Sequence, residues 1–356
     1  MRCLRAGGRR RCALLGGNTA AFCASLVDGL AHLESTLRDD GGGSGGGGSS
    51  VSMRWCADAM RMVMRMQREL LDIFKKADVP VGDVSYGGDG GCWFEHYMQE
   101  TAALLDFCNA FKSAVSRLHR YCMVVDFAAQ VGCAAAAVSL VADHQTGASA
   151  VHGGWLEETD DSTSSAVRGR LSDVKAVVSE TELLLLGRKI MSISSSSSGA
   201  GDDAGGMLVV MLVAKITMAV VSMFVLQALT SPMPTDADGR QCTLGRSAVP
   251  VPELQPWCES LSVINDRFPR RASVAEHERV AMVVKAMINA KIEGEVRHGK
   301  EEDDMVRHVE LLRTRSGELR EGVEMFDCIL DEVFDEVIKG RNEMLGIFRD
   351  KALTLG

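Results

Sequence analysis

The stretch that decides the fold is Met305–Met344, MVRHVELLRTRSGELREGVEMFDCILDEVFDEVIKGRNEM. Met305, Val309, Leu312, Ser316, Leu319, Val323, Phe326, Leu330, Val333, Val337, Gly340 and Met344 follow one another in alternating steps of four and three. A helix turns roughly 100° per residue, so this spacing keeps every one of them on a single face. Only Ser316 and Gly340 interrupt the apolar seam. Other helices must cover such a seam, because an isolated amphipathic helix gains most of its stability from packing. The cover comes either from the same chain or from a second copy joined as in a coiled coil.

Working outward, the same texture recurs. Tyr97, Thr101, Leu104, Cys108, Phe111, Val115, Leu118, Cys122 and Val125 alternate in the same way within a long helix expected over Trp93–Ala142. Met60, Val63, Met64, Leu70, Leu71 and Phe74 mark a helix over Val51–Ala77, stopped by Pro80. A weaker helical pattern covers Ala166–Met191, and a short one Ala20–Leu37. The last helical stretch is expected from about Ser273 to Phe348, broken near Gly299. Gly41–Ser50, GGGSGGGGSS, is a flexible linker, and Ser192–Gly206 with its run of Ser is another. Ser231–Pro256, with five of the seven Pro, reads as irregular. The expected architecture is all-α: a long-helix bundle with one central, strongly apolar helix and Gly/Ser-rich linkers. Residues 1–50 are expected as a basic, low-complexity segment with its linker, and 51–350 as one helical domain.

Composition narrows the function. Of 356 residues, 46% are apolar and 24% charged, which suits a chain that buries a core. Thirty-nine basic against 48 acidic side chains leave a net charge of −9, which argues against a nucleic-acid binder. The eleven Cys include no pair separated by two residues, so neither a zinc ribbon nor a redox pair is written, and buried reduced thiols are expected. The first 27 residues carry five Arg and no acid. They are read as a basic tail rather than as an organelle transit peptide, which shares that composition.

Met207–Leu229, MLVVMLVAKITMAVVSMFVLQAL, leaves two readings open. Twenty-three residues at about 1.5 Å each span roughly 34 Å, enough for a hydrocarbon core of about 30 Å. Twelve Leu, Ile, Val or Phe contribute roughly −4 to −7 kcal/mol to insertion, and Lys215 costs about 2.5–3.5 kcal/mol near the centre. The sum favours a single membrane span with the body facing the cytosol, a slightly preferred expectation. A soluble core helix, apolar all round because others surround it, is the alternative. In that case Lys215 should sit at one end or pair with an acid. The flanking charges give no orientation.

Chemistry-bearing motifs are scarce. Gly299-Lys300 is followed by Glu301, so no Walker loop is present. His277-Glu278 has no second His one turn on, and no Gly-x-Ser-x-Gly elbow occurs. No catalytic, cofactor-binding or metal-ligating residues are assigned, and an enzyme is not expected. Arg270-Arg271-Ala272-Ser273 resembles a basophilic kinase site with Ser273 as acceptor. Ser273-Val274-Ala275-Glu276 also reads as a capping box, Ser273 capping a helix and Glu276 reaching back.

WFEHYMQETAALLDFCNAFKSAVSRL, Trp93–Leu118, resembles the plant BYPASS-like proteins and their ROH-type relatives. Trp93, Tyr97, Glu100, Thr101, Leu104, Leu105, Asp106, Cys108, Asn109 and Leu118 carry the likeness. Leu319–Leu345 is similar to that family's closing helix. The resemblance implies a mostly helical plant protein with no known catalytic site, acting in growth and developmental signalling. Its ROH-type branch implies a membrane-tethered adaptor of secretion that binds an exocyst subunit. By their own chemistry Leu104, Leu105, Cys108 and Phe111 form a core face. Asp106 and Asn109 either brace another helix or meet a partner.

Overall fold

The computed structural model describes residues 17–40, 50–76, 93–131, 202–230, 254–269, 272–294 and 301–354. The elements are α1 (Gly17–Asp40), β1 (Ser50–Val51), α2 (Met53–Lys76), α3 (Trp93–Val131), α4 (Asp202–Leu229), α5 (Gln255–Arg267), β2 (Ser273–Val274), α6 (Ala275–Gly294) and α7 (Glu301–Thr354). The fold is all-α, with one two-residue parallel strand pair, Ser50 opposite Ser273 and Val51 opposite Val274. The helix expected over 166–191 and the end of the one expected to Ala142 lie outside the described residues.

The seam of α7 is covered by its own chain. From Leu312 to Met344 every seam position is buried, and Met305 and Val309 are half-buried. The stripe of α3, Tyr97 to Val125, is buried at all nine positions. The two helices lie antiparallel along their length. Phe94 stacks on Phe348 at 4.7 Å, Lys112 reaches Asp327 at 2.6 Å, and Arg313 reaches the Ala129 carbonyl at 3.0 Å. Helix α2 runs parallel to α7: Met53 lies against Gly322, Arg68 pairs with Glu336 and Lys75 with Glu343. Helix α4 packs on α2 and α3 and closes a four-helix body.

The two interruptions of the α7 seam have physical reasons. A Cβ on Gly340 would meet the Tyr97 hydroxyl at 2.7 Å, so the glycine lets α3 approach. Ser316 is fully buried, and its hydroxyl donates to Asp126 Oδ1 at 2.6 Å while Arg320 donates to Oδ2 at 2.7 Å. One carboxylate on α3 thus receives two donors from α7, which fixes the register of the pair.

Helix α1 is part of the same core. Phe22, Cys23, Leu26, Leu30 and Leu33 are buried in it, and the Trp55 indole N–H donates to the Leu33 carbonyl at 3.0 Å. Arg267 on α5 pairs with Glu34, and Ser25 donates to Glu69. Helix α5, absent from the sequence expectation, buries Trp257, Leu261 and Ile264. Phe268 just beyond it stacks on Phe224 of α4 at 4.3 Å and tilts against Trp55 at 5.4 Å.

The capping-box expectation is replaced by a tertiary arrangement. Ser273 sits in β2 and its hydroxyl donates to Glu278, while helix α6 begins at Ala275. Glu276 Oε2 accepts the Met53 N–H at 3.1 Å, and so satisfies a free donor at the start of α2, 223 residues away. Ser273 is 8% exposed and its hydroxyl is engaged by Glu278, so it is closed to a kinase in this conformation. Ser273→Glu is expected to destabilise the fold by about 1–3 kcal/mol, since it sets a buried carboxylate beside the half-buried one of Glu278. Chemical denaturation of the variant measures this, and an unchanged midpoint would refute it.

Candidate functional site

The residues singled out in Trp93–Leu118 divide between two jobs. Trp93 opens α3, and its side chain lies outside the described residues. Tyr97, Thr101, Leu104, Cys108 and Leu118 are buried. The Tyr97 ring meets Phe74 edge-on at 5.6 Å, and burial pushes its phenol up to about 12 against the opposing pull of Arg341. The Thr101 hydroxyl donates to the Tyr97 carbonyl at 2.7 Å and accepts Arg341 Nη1 at 2.7 Å. Burial likewise pushes the Cys108 thiol up to about 12, which keeps it protonated at neutral pH and chemically inert. The described Cys are free thiols; Cys23, Cys56, Cys108 and Cys122 are buried, Cys258 half-buried and Cys328 exposed.

Among the residues that carry the likeness, Glu100 has a clear electrostatic task. Its Oε1 lies 2.7 Å from Lys215 Nζ, with the two side chains 13% and 31% exposed. The lysine that interrupts the apolar helix α4 is therefore paired to an acid of α3. Thr217, the next polar residue of α4, donates to the Val213 carbonyl at 2.8 Å and accepts the Trp257 indole N–H at 2.9 Å. Val209–Leu229 is long and apolar enough to cross a membrane, with mean hydropathy 2.4, and 89% of its most apolar 18-residue window is buried inside the chain. This is the environment of a core helix.

Leu105, Asn109 and Lys112 share a face of α3 at spacings of four and three. Asn109 is exposed, and Leu105 and Asp106 are half-buried. Lys112 reaches across to Asp327 at 2.6 Å and Asp331 at 2.8 Å. The flank of α7 that carries these two aspartates continues into Phe334, Ile338 and Leu345, 38%, 37% and 46% exposed. On α3, Met123 shares the Lys112 face and is 70% exposed, with Phe127 one turn on at 55%. The outer side of the α3–α7 pair thus carries two groups of exposed apolar side chains, Met123 with Phe127 and Phe334 with Ile338 and Leu345, with the Lys112 ion pairs between them. Its separate residues are visible in the sequence, but their alignment needs the antiparallel register, which the sequence does not state.

Among the described residues no group of three or more His, Cys, Asp or Glu is placed to hold a metal ion. His277 is half-buried, its ring 4.7 Å from that of Tyr121, and desolvation lowers its pKa against the weaker pull of Glu278. Its folded value lies below the ordinary 6.5, so protons bind the unfolded chain more readily. This contribution to stability is complete above pH 6.5 and is lost as pH falls through and below it. Thermal melts between pH 8 and 5 should show the loss, and His277→Asn should flatten it; an equal slope in both would contradict the assignment. Glu336, lowered chiefly by its hydrogen bond from Arg68, contributes stability that is complete above pH 4.5 and is lost only as pH falls below it.

Searches with this chain match no family model, no curated protein and no solved structure.

Proposed function

We propose that this chain is a non-enzymatic scaffold of plant growth and developmental signalling that works through helix-mediated contacts on the outer α3–α7 flank. The observation that carries the reading is the exposure of Met123, Phe127, Phe334, Ile338 and Leu345 on one flank while the seams of both helices are buried. Large apolar side chains aligned on one face mark an interaction surface more often than isolated ones do. Asp331 and Asp335 stand exposed beside them. The fitting occupant is a partner helix, apolar on its docking face and bordered by Lys or Arg. Ser substitutions at Phe334 and Ile338 should leave stability within about 1 kcal/mol, because the sites are already partly solvated. Proximity labelling in plant cells should then lose partners relative to the parent chain. An unchanged partner set in a folded variant overturns the flank as the docking site. Sedimentation at rising concentration identifies the case in which the occupant is a second copy.

A second reading is the membrane-tethered adaptor of secretion, with α4 as its span and an exocyst subunit as its partner. Its support is the length and hydropathy of Val209–Leu229. The Lys215–Glu100 pair and the burial of α4 favour the core placement. Enrichment of exocyst subunits in the same labelling experiment, with retention of the chain after carbonate extraction, would decide for the adaptor.

A further inference from the structure

Where α2, α3 and α4 meet there is a small chamber whose walls are mostly apolar, with a few polar side chains set among them. Gln67, Tyr97, Glu100, Thr101, Lys215 and Met218 are among the residues that line it. Gln67 is 5% exposed, and among the described residues its Oε1 has no hydrogen-bond partner. Its Nε2 reaches the Met218 sulfur, at 3.8 Å, a weak acceptor. A buried amide oxygen without a partner costs about 1–3 kcal/mol, so such groups are normally satisfied by protein or by an internal water. The neighbours are otherwise occupied. Thr101 Oγ1 is engaged by the Tyr97 carbonyl and Arg341. The Tyr97 hydroxyl points at Gly340. Lys215 Nζ has three donors, one of which meets Glu100.

The chamber is about 10 Å³ in volume, close to one water-sized sphere. We infer that it is a built site for a single ordered water that accepts from Lys215 and donates to Gln67 Oε1. The water then joins α2 to the ion pair that already ties α3 to α4. A water needs two to four polar partners to stay in a protein interior, and Gln67, Lys215 and Glu100 provide them. A bare cation fits poorly, because the Lys215 ammonium lines the same space.

High-resolution crystal structures of the parent chain and of Gln67→Met test this. In the parent, a density peak is expected about 2.7–3.2 Å from Gln67 Oε1 and from Lys215 Nζ or a Glu100 oxygen. In Gln67→Met the peak should vanish while Lys215 and Glu100 stay paired. Three results overturn the site: Gln67 turned to bond Lys215 or Glu100 directly with no peak; the same peak retained in Gln67→Met; or a peak ringed by five or more oxygens at cation distances. If Gln67→Met does not fold, the parent density alone decides.

Discussion

The double substitution Val213→Asp, Val220→Asp is expected to unfold the chain outright. Val213 is fully buried and Val220 1% exposed, on a helix enclosed by α1, α2 and α3. Each aspartate would place a carboxylate among apolar side chains with no cation beside it. Burying such a group costs several kcal/mol unless it is neutralised, and the neutral acid still loses its hydrogen bonds to water. Two such costs rival the whole stability of an ordinary domain, about 5–15 kcal/mol. Circular dichroism and a soluble-fraction assay would record lost helix and aggregation. The result contrary to the core placement is equally specific. A variant that keeps a cooperative melt of the remaining helices, but is released by carbonate where the parent is retained, would put α4 in a bilayer.

Phe326→Ala is expected to cost about 3–5 kcal/mol, the usual range for emptying a large aromatic site in a core. Phe326 is fully buried and meets Phe111 of α3 edge-on, with ring centroids 6.3 Å apart. The gap would open midway along the α3–α7 seam, where neither long helix can shift without breaking the Lys112–Asp327 or Asp126–Ser316 contacts. The melting temperature should fall by roughly 10 °C. Phe334→Ala, two turns further on the same helix, is the control: that side chain is 38% exposed and should cost far less. Equal losses at the two sites would mean that the buried seam is not the main contact of α7.

Sequence periodicity revealed the long helices because their apolar faces repeat over many turns. The α7 seam spans forty residues, and one or two polar positions cannot mask it. Helix α5 was missed although Trp257, Leu261 and Ile264 fall at helical spacing after Pro256, because five apolar residues in thirteen, Cys258 and Val263 included, lie close to the background of a chain that is 46% apolar. The packing of α1 was hidden for another reason. A Gly/Ser linker shows that the chain is free to turn, but not whether the segment before it docks. Ser273 and Glu276 fit a local motif by spacing, whereas the structure sends Glu276 to Met53, a contact no local pattern can encode. Among the site residues, the buried face of Tyr97, Leu104 and Cys108 was legible. The pairing of Glu100 with Lys215 was foreseen only as a requirement on the lysine, since partner choice depends on how three helices are phased.

The parallel association of α2 with α7 constrains how the chain can be made. Arg68 and its α7 partner Glu336 are 268 residues apart, and Met53 and its α6 partner Glu276 are 223 apart. At about 5–20 residues per second, a ribosome needs roughly 15–50 s after finishing α2 before its partner emerges. During that time Met60, Val63, Leu70 and Phe74 have no α7 to lie on, and for much of it no α4. Helix α7 closes the bundle after α2, α3 and α4 have been made, so a chain cut before it lacks a wall of its core rather than a dispensable tail. Early termination before about residue 320 should therefore yield chaperone-bound or degraded product instead of a smaller soluble domain.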